Sequence, residues 1–288
     1  MKNIFSVNRR RFLQTSLLGS TTLVAASFLP RPSCAAITKS KSDPYHNLKV
    51  GLTTYTLRKF SLDEAIAMTK QAGVKCVSLK EVHLPLKSTA AERQTARKKV
   101  EDAGLILMGG GVIYLKNDED EIRNAFEYAK DAGMPTIVCS PDVEALDKVE
   151  KCAKQYGIRI AIHNHGPGDT KYPSPLDVMR LVKGRDSRMG VCMDVGHTVR
   201  IGQDPVVAIG KCASRLYEFH MKDITQADAK GGSTEVGKGV IDVVAVLKAL
   251  VKIKFAGHVA LEYEAHGDAP MPGVTESFTY MRGVLAAI

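Results

Sequence analysis

The chain has 288 residues, 44% hydrophobic and 25% charged, with 40 Lys+Arg against 31 Asp+Glu and a formal net charge of +9. This composition excludes a disordered or collagen-like chain, and the length suits one large α/β domain. The basic excess would argue for nucleic acid or an anionic membrane only if it were spread over that domain.

It is not spread evenly. Residues 1–35 hold Lys2, Arg9, Arg10, Arg11 and Arg31 and no acidic side chain, so five of the nine surplus charges sit there. Asn8-Arg9-Arg10-Arg11-Phe12-Leu13-Gln14, followed by a mildly apolar stretch to Leu29, resembles a twin-arginine export signal. Hydroxyls and Gly dilute that stretch, so no stable membrane anchor is expected. Ser33-Cys34-Ala35 places the expected cut after Ala35. The resemblance implies a protein exported already folded, often with a cofactor loaded, to the periplasm or beyond. Without Cys34 five Cys remain, and no CxxC occurs. Buried free thiols are expected rather than a disulfide framework. Residues 36–47 read as a flexible lead-in and 48–288 as the folded domain.

The first strand of that domain is expected at 50–54. Ser61–Gln71 reads as a helix opened by a capping box of Ser61 with Glu64, and Gly73 leads into a strand at 74–79. Helical spacing over 90–103 ends at Gly104, before a strand at 105–108 that Gly109-Gly110-Gly111 is expected to follow. Helices over 120–132 and 143–156 end at Gly133 and Gly157 and precede strands at 136–139 and 158–162. Each such Gly is expected to take the left-handed C-cap conformation. Strands at 189–194 and 216–220 follow. A long Gly-containing loop at 224–240, a helix over 242–253 and a strand at 258–261 close the series. Short apolar strands alternating with helices predict a parallel sheet covered by helices. Eight such units predict an α/β fold, a single (β/α)8 TIM barrel. No G-x-G-x-x-G follows a strand, which argues against an open dinucleotide-binding sheet.

A TIM barrel carries its active site at the C-terminal ends of its strands. Those ends are polar here. Strand two ends in Lys80-Glu81-Val82-His83, strand five in His163-Asn164-His165, and strand six in Asp194-Val195-Gly196-His197. Strand seven ends in His220-Met221-Lys222-Asp223 and strand eight in Glu262-Tyr263-Glu264. Side chains two apart on a strand share a face, which pairs His163 with His165, His220 with Lys222 and Glu262 with Glu264. Several His with Asp194 and Glu262 at one end form a mixed N/O donor set. Such a set suits Mn²⁺, Co²⁺, Fe²⁺ or Zn²⁺ rather than Ca²⁺ or a thiolate site.

From Val50 onward the chain resembles the xylose isomerase-like TIM barrel superfamily of sugar-phosphate isomerases and epimerases. The resemblance rests on Asp194-Val195-Gly196-His197, His220-Met221-Lys222-Asp223, Val236-Gly237-Lys238-Gly239-Val240-Ile241-Asp242 and Leu261-Glu262, in that order. It implies one divalent ion, most often Mn²⁺, held by Glu, Asp, His and Glu on strands five to eight. Asp194, His220 and Glu262 match that set. His163 stands where the family has its first Glu, and is expected as the fourth ligand.

The reaction so implied is proton abstraction next to a carbonyl through an enediolate, in an exported sugar isomerase or epimerase. Family epimerases divide proton removal and return between two Glu, and here only Glu262 remains. That departure raises a lyase or dehydratase on keto-sugars or keto-inositols as the alternative. Glu262, His163 and His197 are the candidate catalytic residues. Lys80, Glu81, His83, Asn164, His165 and Lys222 are the candidate substrate contacts. Asp223 reads as a loop cap, and Arg200 as a solvated side chain or a contact to an acidic substrate.

A small-molecule sugar or keto-sugar, unphosphorylated outside the cell, is the expected partner, and a homo-oligomer is compatible with the sequence. A non-catalytic periplasmic sugar-binding barrel competes with the enzyme. An endonuclease of the same barrel type would need more ligands and a basic groove. The chain beyond residue 35 has 35 basic against 31 acidic side chains, so no nucleic-acid partner is expected.

Overall fold

The computed structural model describes residues 43–288. The expected leader, its cut after Ala35 and most of the lead-in lie outside the described residues.

Parallel strands β1 (Lys49–Thr53), β2 (Cys76–Leu79), β3 (Ile106–Leu115), β4 (Thr136–Pro141), β5 (Arg159–His163), β6 (Met189–Asp194) and β7 (Leu216–Met221) follow one another around a barrel. Beyond β7, β8 (Asp223–Ile224) and β9 (Ser233–Thr234) form a small antiparallel pair in the long loop. The last barrel strand, β10 (His258–Leu261), pairs with both β7 and β1 and closes the ring. The expected eight-stranded barrel is therefore the fold.

The helices cover its outside: α1 (Leu62–Gln71), α2 (Ala90–Asp102), α3 (Glu119–Asp131), α4 (Leu146–Tyr156), α5 (Pro175–Val182), α6 (Val195–Arg200), α7 (Pro205–Cys212), α8 (Val243–Lys252) and α9 (Met271–Ala286). Local chemistry sets their starts. Ser61 with Glu64 and Thr89 with Glu92 form complete capping boxes on α1 and α2. Ser174 and Asp204 cap α5 and α7, each just before a Pro at the first helical position. Apolar faces of helices and strands merge into one core that includes Leu52, Phe126, Ile137, Leu247 and Phe278. Among the described residues the five expected thiols are free, and all but Cys152 are buried.

Two sequence expectations change. The end of the lead-in is packed rather than loose: Asp43 accepts a hydrogen bond from Tyr45 N at 3.1 Å, and the buried Tyr45 hydroxyl accepts one from Arg282 Nη1 at 3.1 Å. Nor does β3 end before the three glycines; it runs through them to Leu115, with register shifts against both neighbours. A Cβ at Gly111 would lie 1.9 Å from the Val138 carbonyl oxygen, and its φ is +124°, so only glycine lets the strand pass β4 at that distance.

Alternation along the strands builds inward layers. In the lower layer Ser78 Oγ donates to Glu218 Oε1 at 2.8 Å, and His258 Nδ1 lies 2.8 Å from Ser78 Oγ and 3.0 Å from Glu218 Oε1. Val138, Ala161 and Cys192 form a small apolar cluster separate from the main core. One step up, Ala161 gives way to His163, Cys192 to Asp194, Glu218 to His220, and Ala260 to Glu262.

Candidate metal centre

Register brings the donors together. Asp194 on β6 pairs with His220 on β7, and Glu262 N continues the β10 ladder by donating to Met221 O at 2.9 Å. His163, Asp194, His220 and Glu262 are all buried, and one ligand atom of each lies within 4.8 Å of the others. His163 Nε2 is 3.1 Å from His220 Nδ1 and 3.8 Å from Asp194 Oδ2, and His220 Nδ1 is 3.5 Å from Glu262 Oε2. A tetrahedral site with metal–ligand bonds of about 2.1 Å has edges of about 3.4 Å.

The residues fit a divalent ion. Two carboxylates and two imidazoles converge on one point, and Asp194 Oδ2 receives no well-aligned hydrogen bond among the described residues. The other Asp194 oxygen is occupied: Oδ1 accepts from His197 N at 2.8 Å and so caps α6. One carboxylate thus starts a helix with one oxygen and offers the other to the cluster.

The electrostatics hold these donors in ligand-competent forms. Burial drives the His163 imidazole well below its usual value, helped by His220 and His165, so the ring is neutral. Burial pushes the Asp194 carboxyl up, but Lys222 and His197 outweigh it and keep it below the usual range. Burial likewise opposes ionisation of Glu262, and Lys80, Lys222 and His220 hold it well below. Lys222 is penalised by burial too, yet Asp194, Glu262 and Glu264 raise it and keep it charged.

Above the cluster opens a pocket of about 320 Å³ lined by Tyr55, Lys80, Glu81, Tyr114, His165 and His197, with His163, Lys222, Glu262 and Glu264 at its base and side. His165 Nδ1 is 3.2 Å from Asp169 Oδ2, and its Nε2 is 3.4 Å from the Tyr114 hydroxyl. His197 Nδ1 is 3.2 Å from Arg200 Nη1. Burial lowers both rings, with Asp169 opposing it at His165 and Asp194 at His197. Lys80 Nζ binds Glu262 Oε1 at 3.0 Å, across the barrel.

Two expected substrate contacts are not at the mouth. His83 lies in the turn after β2, with Nε2 3.1 Å from the Phe60 carbonyl, and lines a separate groove beside α2 with Leu62 and Leu84. The chain leaves the strand direction at Lys80, so alternation no longer places His83. Asn164 is fully buried; its Oδ1 accepts from Asp194 N at 2.9 Å, which braces β6 rather than facing the pocket. Asp223 is the expected loop cap, accepting from the amides of Gly237, Gly239 and Ile241 at 2.9–3.2 Å. Arg200 Nε donates to Gly231 O at 3.0 Å and ties the long loop to α6. Tyr55, Tyr114 and Asp169 escaped the sequence reading. Tyr114 was hidden by ending the third strand at the glycines, and Glu264 was visible only as the same-face neighbour of Glu262.

Residues 66–284 match the family described as xylose isomerase-like TIM barrel. The chain is 25% identical over 153 residues to an inosose dehydratase of Clostridium beijerinckii, covering 48% of this chain and 49% of that protein. It is 24% identical over 215 residues to the inosose dehydratase of Bacillus thuringiensis, covering 68% of each. The chain thus spans about half the length of the Clostridium relative it matches. A solved structure from Parabacteroides distasonis superposes with a TM-score of 0.65 at 26% identity, over 82% of this chain and 99% of that one. The 3-keto-D-glucoside 4-epimerase of E. coli superposes with a TM-score of 0.67 at 16% identity, over 82% and 99%, a likeness of fold.

Proposed function

Because the chain belongs to the xylose isomerase-like TIM barrel family, we propose that it is a metal-dependent lyase. In this reading it removes a proton beside the carbonyl of an unphosphorylated keto-sugar or keto-cyclitol and completes the reaction by β-elimination. The observation that carries it is the cluster's composition: its β5 member is an imidazole whose Nε2 is turned onto His220. Glu262 is then the one carboxylate of the cluster that lines the pocket.

Elimination asks for one base at the C–H and one hydrogen-bond donor at the departing oxygen. Glu262 takes the proton, held in place by Lys80 on Oε1. His165, oriented by Asp169, and His197 stand at the wall to meet the departing hydroxyl or alkoxide. His163, Asp194, His220 and Glu262 would hold a divalent ion, which would supply Lewis-acid stabilisation of the charge that develops on the carbonyl oxygen. Mn²⁺ is the ion we expect, with Co²⁺, Fe²⁺ and Zn²⁺ suited to the same donors. Lys80 and Lys222 are both bound to carboxylates, which favours a neutral polyol over a sugar phosphate. The similarity to inosose dehydratases supports the same class of chemistry. The resemblance of residues 1–35 to a twin-arginine signal supports an activity outside the cytoplasm.

Epimerisation or isomerisation is the second reading, favoured by the His165–Asp169 pair, an acid/base separate from Glu262. Incubation in D₂O with a panel of keto-sugars, 3-keto-glycosides and inososes, with and without Mn²⁺, separates the two by NMR. Loss of water or of an aglycone is the expected result. Deuterium at one carbon without loss of mass would establish the second reading instead. Binding without exchange or loss for every compound would leave a sugar-binding barrel.

A further inference from the structure

The cation nearest the cluster belongs to the protein itself. Lys222 is buried, and its Nζ lies 3.1 Å from Asp194 Oδ2 and 3.2 Å from Glu262 Oε2. These are the two oxygens that face His163 Nε2 and His220 Nδ1. The same ammonium also binds Glu264 Oε1. Glu264 stands two residues beyond Glu262 on the same face, outside the four-residue cluster, with its side chain 37% exposed at the pocket.

We propose that Lys222 fills the cation position of the cluster when no divalent ion is bound, and is displaced onto Glu264 when one enters. The proposal rests on the metal reading given above. Two cations cannot share Asp194 Oδ2 and Glu262 Oε2 in a site shielded from water, because nothing screens their repulsion. The ammonium has somewhere to go, since one of its three carboxylate partners lies outside the cluster. The stem has a fixed track: a Cβ at Gly196 would come within 2.9 Å of Lys222 Cδ, so bare backbone at the start of α6 makes room for it. Lys80 is the contrast. Its ammonium pairs with Glu262 Oε1, while His220 faces Oε2, and it also lies over the Tyr55 ring, so it need not move. Lys222 is thus a positioning residue that keeps two buried carboxylates paired in the metal-free protein and sets a competition that any entering ion must win.

The test is calorimetric titration of Mn²⁺ and of Zn²⁺ into chelator-treated full-length protein, with Lys222→Met, Glu264→Gln and the double variant beside the wild type. Lys222→Met is expected to bind either ion about tenfold more tightly, and Glu264→Gln about tenfold more weakly. The Glu264 effect should vanish in the Lys222→Met background, because no displaced ammonium then needs a partner. Metal-free Lys222→Met should also melt below the metal-free wild type and recover with Mn²⁺. Wild-type binding with no gain in Lys222→Met overturns the proposal while leaving the metal reading intact. So does a Glu264→Gln effect of equal size with and without Lys222. Should Lys222→Met not fold, unchanged affinity in Glu264→Gln alone overturns it. Absence of binding in all four proteins overturns both this inference and the metal reading.

Discussion

At the scale of single residues, Asp194 and Glu262 divide structure from chemistry differently. Asp194 spends Oδ1 on the start of α6 and turns Oδ2 to the cluster. Asn caps helices as well as Asp does but offers a poorer ligand. Asp194→Asn should therefore keep the fold, with an unchanged circular dichroism spectrum, and lose metal content by elemental analysis. A folded variant with full metal occupancy would remove Asp194 from the ligand set. Glu262 caps no helix but lines the pocket, and Glu262→Gln should lower kcat by about 10²–10⁴-fold, the usual worth of a positioned base. A loss confined to KM would move the base elsewhere. Sequence reading reached most of this site because ionisable side chains at the ends of apolar strands have few structural explanations. His83 lies away from the mouth because the chain leaves strand geometry at Lys80, and Asn164 because alternation between His163 and His165 turns it toward β6.

The element scale explains how the long loop after β7 is held. Asp223 is fully buried, and its two oxygens gather the amides of Ile224, Gly237, Gly239 and Ile241. Asp223→Ala leaves those amides without their acceptor and should cost about 3 kcal/mol, read from the urea midpoint. A loss below about 0.5 kcal/mol, as for an ordinary surface substitution, would deny Asp223 that role. Strand β1 meets a harder limit. A Cβ at Gly51 would sit 1.9 Å from the Cys76 carbonyl oxygen and 2.6 Å from His258 Nε2. Gly51→Ala exceeds ordinary overpacking, worth about 1–3 kcal/mol, and should abolish soluble folded protein. Recovery of that variant with a wild-type melting temperature would contradict the packing. The glycines of β3 serve close approach rather than a turn. Three in a row look like the end of a strand, yet the strand runs on, because close approach to β4 selects glycine as strongly as a turn does.

For the molecule as a whole, buried neutral histidines make acid the weak direction. His83, His163, His165 and His197 all lie below their usual value of about 6.5, chiefly through burial. The unfolded chain therefore takes up protons near that pH while the native state does not, and stability falls as pH drops below it. Asp194 and Glu262, held low by Lys222 and Lys80, act in the same sense below about pH 4, where the unfolded carboxyls protonate first. In the presence of chelator, the melting temperature should fall from pH 7 to pH 5 and more steeply below pH 4. His163→Gln should flatten the upper part of that curve, and an unchanged slope there would show that His163 is not the group concerned.

Helical periodicity, capping boxes and the glycine that precedes several of the apolar runs pointed to the barrel from sequence alone, because these signals are local and recur along the chain. Strand ends determined where chemistry would lie for a similar reason: once the fold is a parallel barrel, every strand points its C-terminal residue to one face. Tertiary structure alone decided which polar residues meet. The 3.1 Å approach of His163 to His220 depends on the register of strands 57 residues apart. The pairing of Lys80 and Lys222 with Glu262 rather than with their sequence neighbours depends on barrel closure. Spacing along a chain carries no information about distance across a closed sheet, and that distance makes these residues one site.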